Sequence, residues 1–338
     1  MRGGGTKHSY GRQPSGEPFD TRGYTGVVAY EPTELVVTVR GGTPLAELEH
    51  VLAESKQMLA FEPPHFGADA TVGGCVASGL SGPRRQAAGA LRDFVLGVKL
   101  MDGRGDVLRF GGQVMKNVAG YDLSRLIAGS LGTLGLLLEV SLKVLPRPAC
   151  ERTLRFEAGE AEALERLNRW GGQPLPLSAS AWDAGILTVR LSGAEAAVRS
   201  AGAKLGGEAL DDDAGAQFWR ALREHEAAFF DDAGAAADAG VPLWRVSVPT
   251  TAPALGVDGA QLIEWGGGLR WLRTHASAEA VRARATELGG HATCFRGADR
   301  TGEVFQPLPP AVMAIHRRLK QAFDPAGVFN PGRLYDGL

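Results

Sequence analysis

Cysteine is scarce in this chain. Three occur in 338 residues, Cys75, Cys150 and Cys294, far apart and with no C-x-x-C pair. That spacing argues against an iron–sulfur cluster or a structural zinc, and no metal site is expected. The sparse, odd count suits a reducing compartment. An excess of one charge is lacking too: 36 Lys and Arg face 38 Asp and Glu, a formal net charge of −2. Binding a nucleic-acid backbone needs a clustered basic face, so no nucleic-acid partner is expected. The pairs Arg84-Arg85 and Arg317-Arg318 read as solvated surface or as contacts to one acidic group. A long apolar run is also missing. The most apolar stretch, 126–145, is interrupted by glycines, Ser130, Thr133 and Glu139, which argues against a direct membrane span. No apolar h-region follows Met1, and the expected location is cytoplasmic.

Glycine, by contrast, is abundant. The chain holds 47, about twice the usual fraction. Chance alone therefore places several Gly-Gly pairs, and a pair by itself means little. The run Arg2-Gly3-Gly4-Gly5-Thr6-Lys7 is more specific. Three consecutive glycines bring bare N–H groups together, the threonine adds a hydroxyl, and Arg2 and Lys7 add positive charge, a combination suited to wrapping a diphosphate.

The length suggests two domains, and a 44% hydrophobic content is ample for their cores. Leu35–Arg40 reads as a strand. Thr43 is then expected to cap a helix that opens at Pro44 and carries Leu45, Leu48, Leu52 and Leu59 near one face. Val95–Met101 and Asp106–Phe110 read as a hairpin. Leu136–Val144 alternates as a strand with one buried face. Pro146-Arg147-Pro148 is the expected domain boundary, beyond which strands and helices mix as in an α+β domain. Asp211-Asp212-Asp213 and Asp231-Asp232-Ala233-Gly234 read as acidic surface segments, and 311–323 as a helix.

Five further segments complete an ordered set with the glycine loop. They are Thr71-Val72-Gly73-Gly74-Cys75-Val76-Ala77-Ser78-Gly79, Arg92-Asp93-Phe94-Val95-Leu96-Gly97-Val98 leading to Asp102-Gly103, Lys116-Asn117-Val118-Ala119-Gly120-Tyr121-Asp122-Leu123, Gly129-Ser130-Leu131-Gly132-Thr133-Leu134-Gly135, and Phe323-Asp324-Pro325 through Asn330-Pro331-Gly332-Arg333. In this order and spacing the set resembles the FAD-binding domain of the vanillyl-alcohol-oxidase family of flavoproteins. Ser81-Gly82-Pro83-Arg84-Arg85 and His291-Ala292-Thr293-Cys294-Phe295-Arg296 make the chain most similar to the FAD-binding E subunits of bacterial glycolate dehydrogenases.

The resemblance implies an α+β protein: a vanillyl-alcohol-oxidase/PCMH-type two-subdomain FAD-binding domain over residues 1–148, an α+β cap domain over 149–300, and a C-terminal segment, 301–338, returning to the FAD site. It implies that Gly3, Gly4, Gly5, Thr6 and Lys7 meet the diphosphate, with Thr71, Gly73 and Gly74 on its other side. Ser78 and Gly79 would line the flavin, Val140 would lie on a strand that meets it, and Asn330 would reach the ring edge. Thr6 stands where some members link flavin through histidine, so noncovalent FAD is expected. The resemblance also implies a helix and a strand ahead of the glycine loop, and an N-terminally short chain is the expectation.

Catalysis is less legible. The hydroxy-acid dehydrogenases of the family carry a histidine pair at H-x-H spacing, and none of the seven histidines here is so placed. His291 and Arg296 remain as candidates for a polar site, beside the reading of a surface strand end. The implied function is one FAD subunit of a complex oxidising glycolate. A homologous D-type flavoprotein subunit and an iron–sulfur subunit would be its partners, and the complex could hold the chain at the inner membrane. Two rival readings are an independent FAD enzyme for another small hydroxy acid and a non-catalytic assembly subunit.

Overall fold

The computed structural model describes residues 1–112, 122–231, 240–297 and 300–338. The segments Lys116–Tyr121 and Asp232–Gly234, singled out in the sequence, lie outside the described residues. The chain divides into two compact units. The first comprises 1–81, 89–147 and 300–338; the second comprises 82–88 and 148–299.

The first unit is built on a five-stranded antiparallel sheet. Its strands are β1 (Val27–Glu31), β2 (Val36–Arg40), β3 (Val95–Met101), β4 (Val107–Gly111) and β5 (Leu136–Lys143), in the order β1-β2-β5-β3-β4. The β-branched run of β2 fills the centre, with Val37 and Val39 fully buried. In the β3–β4 turn, Asp102 Oδ1 accepts the N–H groups of Arg104 and Asp106, both at 2.9 Å. Strand β5 corrects the one-faced expectation. It lies between β2 and β3, so Ser141 is buried as well as Val140 and Leu142, and its hydroxyl pairs with Thr38 at 2.8 Å.

Helix α1 (Leu45–Glu54) buries Leu45, Leu48 and Leu52 completely. Its start differs from the expectation at Thr43. Pro44 occupies the cap position, Leu45 N–H donates to Ala70 O (2.7 Å), and the Thr43 hydroxyl instead accepts from Gly26 N–H (2.9 Å). Leu59 is buried but lies beyond the helix end. Helix α2 (Val72–Ser78) is capped by Thr71, whose hydroxyl accepts from Gly74 N–H, and stops at Gly79 with φ +65°.

The second unit carries an eight-stranded antiparallel sheet. Its strands are β6 (Cys150–Glu157), β7 (Leu177–Asp183), β8 (Ile186–Gly193), β9 (Glu208–Ala209), β10 (Leu243–Ser247), β11 (Ala260–Glu264), β12 (Leu269–Arg273) and β13 (His291–Arg296), ordered β9-β6-β8-β7-β11-β12-β10-β13. One face is covered by α3 (Glu160–Gly171) and α4 (Glu195–Leu205), packed on Leu154, Leu187, Val189 and Leu191. The Asp211–Asp213 segment is exposed, as expected, and opens a helix. Asp211 caps α5 (Asp212–Glu224) by accepting from Ala214 N–H at 2.8 Å, and acidic residues in a first turn favour the helix. Helix α6 (Ala278–Glu287) packs Val281 and Ala285 on Trp244, Val246 and Leu272. Arg84 is buried and pairs with Glu151, while Arg85 stacks 4.2 Å from the Trp265 ring centre, so this basic pair is structural.

The C-terminal helix α7 (Pro310–Phe323) belongs to the first unit. Arg317 and Arg318 are exposed on it.

Candidate functional site

The first unit contains a cavity of about 340 Å³. It is lined by the glycine loop, the start of α2, the 130–132 loop and the Asn330 turn.

The glycine loop is held where only glycine fits. A Cβ on Gly4 would overlap the Asp69 carbonyl oxygen, and one on Gly3 the Thr71 hydroxyl. Gly5 stands at φ +73°, which L side chains avoid. Among the described residues, the N–H groups of Gly3, Gly4, Gly5 and Thr6 find no acceptor within the protein. Four free donors at a cavity wall form an anion-binding concavity.

The start of α2 borders the same cavity but offers no comparable donors. Val72 N–H donates to Thr43 O (2.9 Å), Gly73 N–H to Gly41 O (2.7 Å) and Gly74 N–H to Thr71 Oγ1 (3.2 Å). Thr71, Gly73 and Gly74 therefore shape the wall while their hydrogen-bonding groups hold the fold. Ser78 also lines the cavity, with its hydroxyl donating to Cys75 O (2.9 Å). Gly79 does not line it: it closes α2, and a Cβ there would press on Gly129. Val140 does not line it either; it is fully buried in β5, which meets the cavity through Leu136 and Leu137. Burial pushes the Cys75 thiol up to about 12, so it is not a nucleophile.

The charge around the cavity is mostly positive. Arg2, Lys7 and Arg333 line it. Lys7 Nζ donates to His65 O (3.1 Å) and sits 5.6 Å from the Phe66 ring centre, while Thr6 packs against Gly67. Burial, then the Arg333, Arg300 and Arg2 charges, hold His8 below its usual value and favour the neutral ring. Arg333 itself is brought down to about 10 by burial and by Arg300.

Two sets of contacts that the sequence analysis did not single out fix these walls. Arg333 donates to the carbonyl oxygens of His8 (2.9 Å), Tyr10 (2.5 Å) and Arg12, and Arg300 to those of His8 (2.5 Å) and Gly11 (2.9 Å). The tail thus grips the segment just past the glycine loop. Lys320 is buried and donates to Asp324 Oδ2 (2.6 Å), Thr133 O (2.8 Å) and Phe329 O (2.7 Å). Asp324 also accepts from Val328 N–H (3.1 Å) and Phe329 N–H (2.7 Å). Burial opposes ionisation of Asp324, but the bonds from Lys320, Phe329 and Val328 outweigh it and hold its pKa below the carboxylate range. This lock ties the 130–135 loop to the Asn330 turn. The Lys320 and Asp324 pair at i,i+4 spacing was the available signal. Asn330 lines the cavity at φ +42°, its Oδ1 accepting from the Met1 ammonium (2.6 Å) and its Nδ2 donating to Leu131 O (2.7 Å).

His291 and Arg296 lie in the second unit, at opposite ends of β13. They stand opposite Ser247 and Leu243 of β10, with a bulge before Arg296, so the strand holds them ~14 Å apart. They form no joint site. Among the described residues, no group of three or more His, Cys, Asp or Glu is placed to hold a metal, and no helix is long and apolar enough to cross a membrane.

Family models match at both ends of the chain: an FAD binding domain over residues 1–111 and the C-terminal domain of FAD linked oxidases over residues 270–334. The chain is 48% identical over 338 residues to glycolate oxidase subunit GlcE of Escherichia coli (strain K12), covering 100% of this chain and 93% of that one. The chain belongs to the GlcE family of FAD-linked oxidoreductases. It is also 34% identical over 128 residues to glycolate oxidase subunit GlcD of Bacillus subtilis (strain 168), which covers 38% of this chain and 27% of the relative. Among solved structures, alkyldihydroxyacetonephosphate synthase superposes with a TM-score of 0.62 at 16% identity, over 94% of this chain and 68% of that one. The fold is therefore the expected α+β, PCMH-type architecture, FAD is the cofactor, and the chain is an FAD-dependent oxidoreductase. The glycine cradle, its free donors and its basic surroundings suit a diphosphate.

Proposed function

We propose that this chain is the FAD-carrying E subunit of a complex that oxidises glycolate, a CH–OH donor, to glyoxylate. The observation that carries the reading is the free-donor glycine loop in a chain 48% identical to a glycolate oxidase subunit over its whole length. Gly3, Gly4, Gly5 and Thr6 donate their N–H groups to the diphosphate of FAD, and Arg2 and Lys7 offset its charge. Thr71, Gly73 and Gly74 brace the other side through α2. Ser78 lines the flavin half of the cavity, and Asn330 holds the loop beside it through Leu131. Thr6 has no ring nitrogen to attach flavin, so the cofactor is held noncovalently. FAD supplies the acceptance of two electrons from a C–H bond and their release one at a time.

No histidine pair at H-x-H spacing is present to take a hydroxyl proton. A homologous D-type flavoprotein chain accordingly carries the hydroxy-acid site, and an iron–sulfur chain takes the electrons onward, as the three dispersed cysteines suit no cluster. Anaerobic mixing with glycolate tests this. The isolated FAD-loaded chain is expected to keep its flavin absorption, while co-expression with D-type and iron–sulfur subunits gives dye-linked glycolate oxidation. Fast bleaching of the isolated chain overturns the subunit reading in favour of an independent enzyme.

A further inference from the structure

The second unit holds a cavity of about 710 Å³, within the range of small-molecule sites. It lies against the sheet face that carries α5, which is pinned there by a bond from Trp219 Nε1–H to Thr153 Oγ1 (2.9 Å). Strand register brings three polar residues to this face. Arg155 on β6 is opposite Thr188 on β8, Thr188 is opposite Ala181 on β7, and Asp183 stands two residues further along β7. All three line the cavity.

None of the three side chains has a hydrogen-bond or ion-pair partner among the described residues. Among the described residues, Arg155 makes no hydrogen bond or ion pair; its Nε is buried without an acceptor, and its guanidinium carbon sits 5.7 Å from the Phe218 ring centre. The Thr188 hydroxyl, on a residue only 2% exposed, likewise has none. Burial alone acts on the Asp183 carboxyl and raises its pKa, with no charge or hydrogen bond offsetting it. Arg155 is half-buried, and a buried Nε–H without an acceptor calls for a function or a ligand. Between these groups the walls are apolar: Ala181, Phe218, Leu222 and Leu262.

We propose that this cavity binds a small zwitterion, an amino acid, with its carboxylate on Arg155 and Thr188 and its ammonium on Asp183. The charge pattern selects the class. A plain carboxylate would satisfy Arg155 but meet Asp183 and the rim carboxylates of Glu157 and Glu208. A plain amine would leave Arg155 without an acceptor. The other lining cation, Arg166, is already bonded to Glu162 (2.5 Å). A molecule with both charges completes both sites, adds no net charge, and lays its methylenes on the apolar walls.

The test is calorimetric titration of the FAD-loaded full chain with ω-amino acids from glycine to 6-aminohexanoate, with pentanoate and pentylamine as single-charge controls. Saturable binding is expected for at least one member, at least 10-fold tighter than for either control. Arg155→Gln and Asp183→Asn are each expected to weaken it at least 10-fold, with flavin absorption and far-UV circular dichroism unchanged. The proposal is overturned if no amino acid saturates, if pentanoate or pentylamine binds as tightly, or if both folded variants bind like the wild type. The wild-type series decides the matter by itself should a variant fail to fold.

Discussion

Two glycine-rich segments border the cavity of the first unit, and they look alike in sequence. Gly3-Gly4-Gly5-Thr6 and Thr71-Val72-Gly73-Gly74 each combine adjacent glycines with a threonine. In the fold their donors diverge. The first segment's N–H groups have no acceptor in the protein, while those of the second are bonded to Thr43, Gly41 and Thr71 itself. Glycine content therefore marks close approach in both places and free donors in only one. In the loop Gly4 admits the Asp69 carbonyl oxygen; at Gly73 glycine admits Gly41, whose carbonyl oxygen lies 2.8 Å from where a Cβ would stand.

The largest expected effect is that of Lys320→Met, which removes the lock between the 130–135 loop and the Asn330 turn, walls of the cavity that both segments border. It leaves the Asp324 carboxylate buried without its cation, and breaking such a pair costs ~3–5 kcal/mol. Thermal unfolding of the apoprotein is expected to show that loss, and FAD retention to fall with it. The pH dependence carries a sign. Because the folded pKa of Asp324 is depressed, its stabilisation is complete above the unfolded carboxyl value of ~3.9 and disappears as pH falls through the lower folded value. The stability difference between wild type and Asp324→Asn should therefore be full at neutral pH and shrink below about pH 4. A difference constant down to pH 2 would show that the lock is not ionic.

Gly4→Ala comes next and separates the segments. Its Cβ would displace the Asp69 carbonyl from the loop, and FAD affinity is expected to drop by roughly 100-fold, about 2.7 kcal/mol. Flavin fluorescence titration measures it, and an unchanged Kd would break the assignment of the loop as the cradle. Thr71→Val has the smallest effect and the opposite character. Loss of the cap should cost ~1 kcal/mol, a melting shift of a few degrees, with FAD affinity within about threefold of wild type. A larger loss of affinity than of stability would mean that Thr71 itself meets the ligand.

Much of the fold was legible because periodicity reports burial. Leu45, Leu48 and Leu52 announced the buried face of α1, and Val36–Arg40 announced a strand. The misreadings share a cause. Thr43 and Asp211 are both good caps, but Ala70 O took the Leu45 N–H, so only Asp211 served as one. The single-faced reading of β5 failed because a central strand is flanked on both edges and covered on both sides. His291 and Arg296 are close in sequence, yet an extended strand keeps them apart.

By itself the sequence determined the groups available at the cavity of the first unit: three glycines that permit close approach, a threonine after them, and basic residues on either side. Only the tertiary structure decided which groups remained free to act. Hydrogen-bond satisfaction depends on where distant acceptors come to rest, and Gly41, Thr43 and Ala70 came to rest against α1 and α2 rather than against the glycine loop. The same dependence left Arg155, Thr188 and Asp183 unpartnered around one cavity. Arg155 and Thr188, 33 positions apart in the chain, became neighbours through strand register, and no spacing in the sequence encodes a missing partner.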